Sequence, residues 1–117
     1  MPQYMLLLHE AADALPADIG PAEIEAIIAR YIAWRAKVEQ AGHAVSGHKL
    51  KDGEGRVLTG RAGAPSVTDG PYAEAREVIG GLFIIEAGSY DEAVRLSTDH
   101  PHLDFGTIEI REIEPTG

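Results

Sequence analysis

Three groups of residues in this chain have the types and spacing that acid/base or metal chemistry requires: Asp69 in Asp69-Gly70-Pro71, His9 beside Glu10, and His100, His102 and Asp104. Asp-Gly-Pro makes a tight turn, because Asp bonds its own following backbone, Gly accepts positive φ and Pro fixes the next φ. An acid is thereby held on a rigid loop, where site chemistry often sits. The same residues also fit a plainer role, with Asp69 capping a one-turn helix that Pro71 begins. His9 and Glu10 close an apolar segment where a polar site can start, although a strand-end histidine is equally well satisfied by a backbone carbonyl. Two histidines two apart with a carboxylate suit a metal, but the spacing is common in solvated loops, and neither a metal nor a cofactor is expected. His43 and His48, five apart on an extended segment, fall on opposite faces and cannot share an ion. The glycine-bearing turns at Asp52 to Gly55 and Gly60 to Pro65 lack the Lys-Ser/Thr ending of a phosphate loop.

Composition narrows the function classes. The 117 residues fit one domain with one modest core. A net charge of −9 repels phosphate, so neither nucleic acid nor an anionic membrane is expected as a partner. The chain has no cysteine, which removes disulfides, thiolate metal sites and thiol nucleophiles and suits the cytoplasm. The apolar run after Met1 is too short for a membrane span and lacks the basic flank of a signal peptide.

The elements that must position these residues follow from periodicity. Tyr4 to His9 reads as a strand, with Tyr4, Leu6 and Leu8 on one face and Met5, Leu7 and His9 on the other, both apolar until the end. Pro21 opens a helix with Glu23 and Glu25 in its first turn, and Gly42 ends it. Ile24, Ile27, Ile28, Tyr31, Arg35 and Val38 recur at helical spacing, with Ile32 and Trp34 widening the stripe, so its aromatics read as core. His43 to Leu50 is a strand that should return through Asp52 to Gly55 into Arg56 to Thr59 as a hairpin. Ser66 to Thr68 is a further short extended piece. Gly81 to Ala87 is the second strong strand, and Gly80 and Gly81 before it suggest a bulge or close backbone approach. Ser89 with Glu92 is a capping box for a second helix that Pro101 stops, and Thr107 to Ile113 is the last strand, with Ile108 and Ile110 inward.

That order, βαββαβ, predicts an α+β, ferredoxin-like fold: an antiparallel sheet with both helices on one face. The uncovered apolar sheet face then predicts a face-to-face homodimer. Leu6→Asp or Ile84→Asp should dissolve that dimer, whichever of them points to the partner sheet.

Asp69-Gly70-Pro71-Tyr72-Ala73-Glu74, with Arg76-Glu77, Gly80-Gly81 and the strand after them, resembles the DGPF motif of the YCII-related family. Tyr4 to Leu7, Pro101-His102-Leu103 and Gly106 to Arg111 extend the likeness across nearly the whole chain, in order. Tyr72 stands where the motif has Phe. The resemblance implies a dimeric α+β barrel with a cleft near the Asp-Gly-Pro loop, and for some members a His-Asp pair. Its acid carries over onto Asp69. The early-helix histidine of some relatives has no match between Pro21 and Val38, so His9, then His102, is the substitute. Two functions follow: an enzyme in which Asp69 orients His9 or His102 as general acid/base on a small molecule, or a non-catalytic small-ligand or regulatory module. For the second, the resemblance adds a link to extracytoplasmic-function sigma factors.

Overall fold

The computed structural model describes residues 1–70 and 77–116. The short helix expected to begin at Pro71, and Tyr72, Glu74 and Arg76 with it, lie outside the described residues.

Strand β1 (Gln3–Ala11) is the spine of the molecule. It pairs antiparallel with β5 (Glu77–Glu86) on one side and β6 (Gly106–Ile113) on the other. Strand β2 (Val45–Lys49) pairs antiparallel with the far side of β5, giving a four-stranded sheet in the order β2-β5-β1-β6. With helices α1 (Pro21–Gln40) and α2 (Tyr90–Ser97), this antiparallel α+β arrangement is compatible with a ferredoxin-like fold.

Local chemistry sets the element ends. Pro21 begins α1, where its missing N–H costs nothing. Gly42, at φ 97°, ends it: its N–H reaches the Glu39 carbonyl and that of His43 reaches Val38, the paired bonds of a Schellman motif. For α2 the capping bond of Ser89 forms, with the return bond of Glu92 shifted one residue outward from the N-cap. Ser89 Oγ accepts from the Glu92 N–H at 3.1 Å, and the Glu92 carboxylate accepts from the Gly88 N–H at 2.8 Å.

The pleat of β1 sorts the two faces. Tyr4, Leu6 and Leu8 are buried with Phe83, Ile85, Trp34, Val38 and Ala93, so both helices cover one face. Met5, Leu7 and His9 alternate onto the opposite face and are only partly covered, as are Leu82 and Ile84. Leu6 is fully buried against the helices, so it does not face a partner sheet; Ile84 is on the open face.

Two expectations are corrected. The stripe on α1 is narrower than its sequence suggests: Trp34 and Val38 are buried, whereas Ile24, Ile28 and Ile32 are exposed. The hairpin partners also differ, since β3 (Arg56–Arg61) pairs with β4 (Ala64–Asp69) and not with β2. Strand β2 is claimed by β5 because Gly47 lets it sit against the Phe83 ring, which a Cβ would approach to 2.6 Å. The Leu50 N–H still bonds the Gly80 carbonyl at 3.0 Å, and the Gly70 N–H bonds the Gly55 carbonyl at 2.9 Å, closing the base of a separate two-stranded arm.

Leu6→Ala is expected to lower unfolding stability by about 3 kcal/mol in urea titration, the usual cost of a large-to-small change in a closed core. Leu6→Asp should abolish the folded circular dichroism spectrum, and Ile84→Asp should leave it intact.

Candidate functional site

The site is built at the end of β1, where the sheet register breaks. Leu8 pairs with Gly81 and His9 with Ile79, leaving Gly80 as the extra residue of a β-bulge. A Cβ at Gly80 would lie 1.6 Å from the Glu10 carboxylate, so the bulge residue leaves room for that side chain. On the other flank, a Cβ at Gly106 would lie 1.9 Å from the His9 carbonyl oxygen. Glycine at 106 therefore lets β6 start directly against the His9 backbone.

His9 alternates onto the open sheet face beside Glu109 of β6. Its Nε2 lies 2.9 Å from Glu109 Oε1, with the His9 side chain 24% exposed. A carboxylate only accepts, so Nε2–H donates and the neutral ring keeps its basic lone pair on Nδ1. Imidazole, carboxylate and a lone pair with no bond among the described residues are the arrangement that general acid/base chemistry uses.

His102, in the short 3-10 turn Pro101–Asp104, is nearly fully buried and is tied to the same strand end. Its Nε2–H donates to the His9 carbonyl at 2.9 Å, so its Nδ1 accepts from the Tyr31 hydroxyl, also at 2.9 Å. Burial, and then the charge of Glu10, push the Tyr31 phenol up to about 12, with Asp104 adding and Arg30 opposing. The phenol therefore stays protonated and serves as the donor that this tautomer requires.

His100 sits behind this pair, 2% exposed. Its Nδ1 accepts the His102 backbone N–H at 3.0 Å, capping the turn. Its Nε2 has no hydrogen-bond partner among the described residues. Aromatic rings enclose it instead, with centroids 4.2 Å away at Trp34 and 5.2 Å at Phe83. Burial, and then neighbouring His102, lower its pKa to about 4, so the ring is neutral near pH 7.

Of the residues singled out from sequence, His9 and His102 are brought together through the His9 carbonyl. Asp69 ends β4 on the arm, 92% exposed, with its carboxylate 3.5 Å from Arg56; among the described residues it makes no bond to either histidine. The trio His100, His102 and Asp104 does not converge on a metal. Its ring nitrogens are engaged as described or enclosed by aromatics, and Asp104 bonds Arg30 at 2.5 Å. Among the described residues no group of three or more His, Asp or Glu is placed to hold an ion.

Glu109 and Tyr31 are the residues that sequence reasoning passed over. Strand alternation puts Glu109 on the polar face, but only the β1–β6 register sets it diagonally beside His9. Tyr31 reads as a core aromatic until His102 is placed against it.

Fold and site define a small α+β protein with a four-stranded antiparallel sheet, compatible with a ferredoxin-like fold, and with two histidines gathered at the end of its central strand. The model of the YCII-related domain matches residues 2–116, and the chain belongs to that family. No curated protein matches the chain. Among the described residues no helix is long and apolar enough to cross a membrane.

Two outcomes test the site. Between pH 6.5 and about 4 the unfolded chain binds a proton at His100 that the folded chain refuses. Stability should therefore be complete above that window and fall as pH is lowered through it, by about 3 kcal/mol in all. Urea titrations at a series of pH values should show this loss, and His100→Phe should flatten it. Separately, Gly106→Ala should destabilise more than Gly80→Ala, because one Cβ meets backbone and the other only the end of a flexible side chain.

Proposed function

We propose that this YCII-related protein is a small cytoplasmic homodimeric enzyme that uses His9 as general acid/base on a small molecule held over the open sheet face. The observation that carries the reading is the 2.9 Å contact between His9 Nε2 and Glu109. In this mechanism Glu109 fixes the ring's tautomer and stabilises the imidazolium that forms, while Nδ1 takes the substrate proton and later returns it. Glu109 fills the role that sequence reading gave to Asp69. His102 and Tyr31 hold the His9 backbone and do not meet the substrate. Neither a cofactor nor a metal is required by these steps.

The dimer supplies the cover. Met5, Leu7, Leu82 and Ile84 form an apolar centre on the open face, and stacking it on the symmetry-related sheet of a second copy would remove it from water. The −9 net charge supports a small molecule, and neither nucleic acid nor an anionic membrane, as the ligand.

A second reading is favoured by Asp69, which stands out in solvent beside Arg56. In that reading the same face binds a metabolite without turning it over, and the protein serves as a regulatory module, with the sigma-factor link that the family resemblance implies.

Ring 15N shifts of the neutral protein should report His9 as the Nε2–H tautomer, and Glu109→Ala should return the ring toward a mixed population. A library of small metabolites screened by the same spectra should contain compounds that perturb His9 and are converted by the native protein but not by His9→Asn. Binders that perturb His9 and are never converted would favour the module. A library whose binders all leave His9 untouched would overturn the site.

A further inference from the structure

The β3–β4 arm has no use in the chemistry described above, and its surface is of an unusual kind. Every residue of the two strands is exposed except Val57. Leu58 and Val67 face each other across the ladder, 62% and 57% exposed, with the Gly60–Pro65 pair next along. A lone two-stranded hairpin is at best marginal in water, so an arm carrying an apolar cross-strand pair is stabilised when that pair is covered.

The complementary surface is on the same molecule. Ile24, Ile28 and Ile32, at i, i+4 and i+8 on α1, are 39%, 51% and 64% exposed. Eight residues at about 1.5 Å each make a ridge about 12 Å long. Arg35, on the same flank of α1, donates to the Val45 carbonyl at 3.0 Å, which turns this flank toward β2, the strand from whose end the arm departs. The arm therefore leaves the sheet from the strand that this flank of α1 faces.

One pair of opposite charges matches across arm and ridge. The arm carries Arg56 and Arg61 against Asp69, in a chain of net charge −9. Glu25, exposed, borders the ridge between Ile24 and Ile28. The contact of Arg56 with Asp69 is loose, at 3.5 Å between exposed groups, and leaves the guanidinium open to a second carboxylate.

We infer that the arm of one copy seats on the α1 ridge of a second copy, with Leu58 and Val67 against Ile28 and Arg56 beside Glu25. The exchange is reciprocal: each copy has one arm and one ridge, and a two-fold axis covers both pairs at once. His9 and Glu109 take no part in it, so this inference and the acid/base reading stand or fall separately.

The absence of native cysteine makes the test direct. Leu58→Cys and Ile28→Cys are purified separately, mixed under a mild oxidant and run on a non-reducing gel, with mass spectrometry of the linked peptides. The mixture should give a covalent dimer joining position 58 of one chain to position 28 of the other, at several-fold higher yield than either variant alone. Adding Arg56→Glu to the first variant should cut that yield several-fold, and adding Glu25→Arg to the second should restore it. In a Leu58→Cys/Ile28→Cys double variant, a disulfide formed within one chain in preference to one between chains would mean that the arm folds onto its own helix. Equal linking of Leu58→Cys to itself would mean that arms meet arms. Either result, or no linking at all, would overturn the inference.

Discussion

The structure depends on a single strand paired on both sides. Because β1 is hydrogen-bonded to β5 and β6 through most of its length, its two-residue pleat divides the molecule into a closed face and an open one. Tyr4, Leu6 and Leu8 anchor the core beneath two helices, and the same alternation carries Met5, Leu7 and His9 to the other side. A slip of one residue would exchange the two sets. The bulge at Gly80 comes only after the apolar residues have been sorted, at the point where His9 and Glu10 replace them.

Polar groups at that strand end are satisfied by a chain of bonds in which each fixes the next. The His9 carbonyl takes the Nε2 proton of His102; that leaves His102 Nδ1 to accept from Tyr31, and burial keeps the Tyr31 proton in place. The His102 backbone N–H in turn fixes the tautomer of His100. The chain ends on an N–H among aromatic rings, a buried donor whose cost is of order 1–3 kcal/mol when nothing accepts it. A core containing this group tolerates it because the His100 ring caps the turn that presents His102.

Much of the fold is legible in the residues themselves. Alternation from Tyr4 to His9, the Pro21 start and Gly42 stop of the first helix, and the Ser89–Glu92 box each specify an element through local chemistry, and each element forms. The paired glycines at 80 and 81 announce the bulge. The candidate site is less legible. His9 and His102 can be picked out by type and position, but Glu109 looks like one of several outward acids, and Tyr31 like one more aromatic on a helix. The stripe on α1 misleads for a related reason: periodicity gives the apolar side of a helix without giving how much of it a small sheet can cover.

By itself, then, the sequence determined the kinds of the elements, the bounds of the first helix and the start of the second, the α+β order and the family, because caps, turns and side-chain period act over a few residues of chain. The tertiary structure decided which strands pair, with β2 going to β5 and β3 to β4. It also decided which carboxylate meets His9 and that Ile24, Ile28 and Ile32 stay in solvent. Those outcomes join residues as much as 100 positions apart. Register between distant strands and the area of the opposing surface set them, and neither quantity is written in any local stretch of residues.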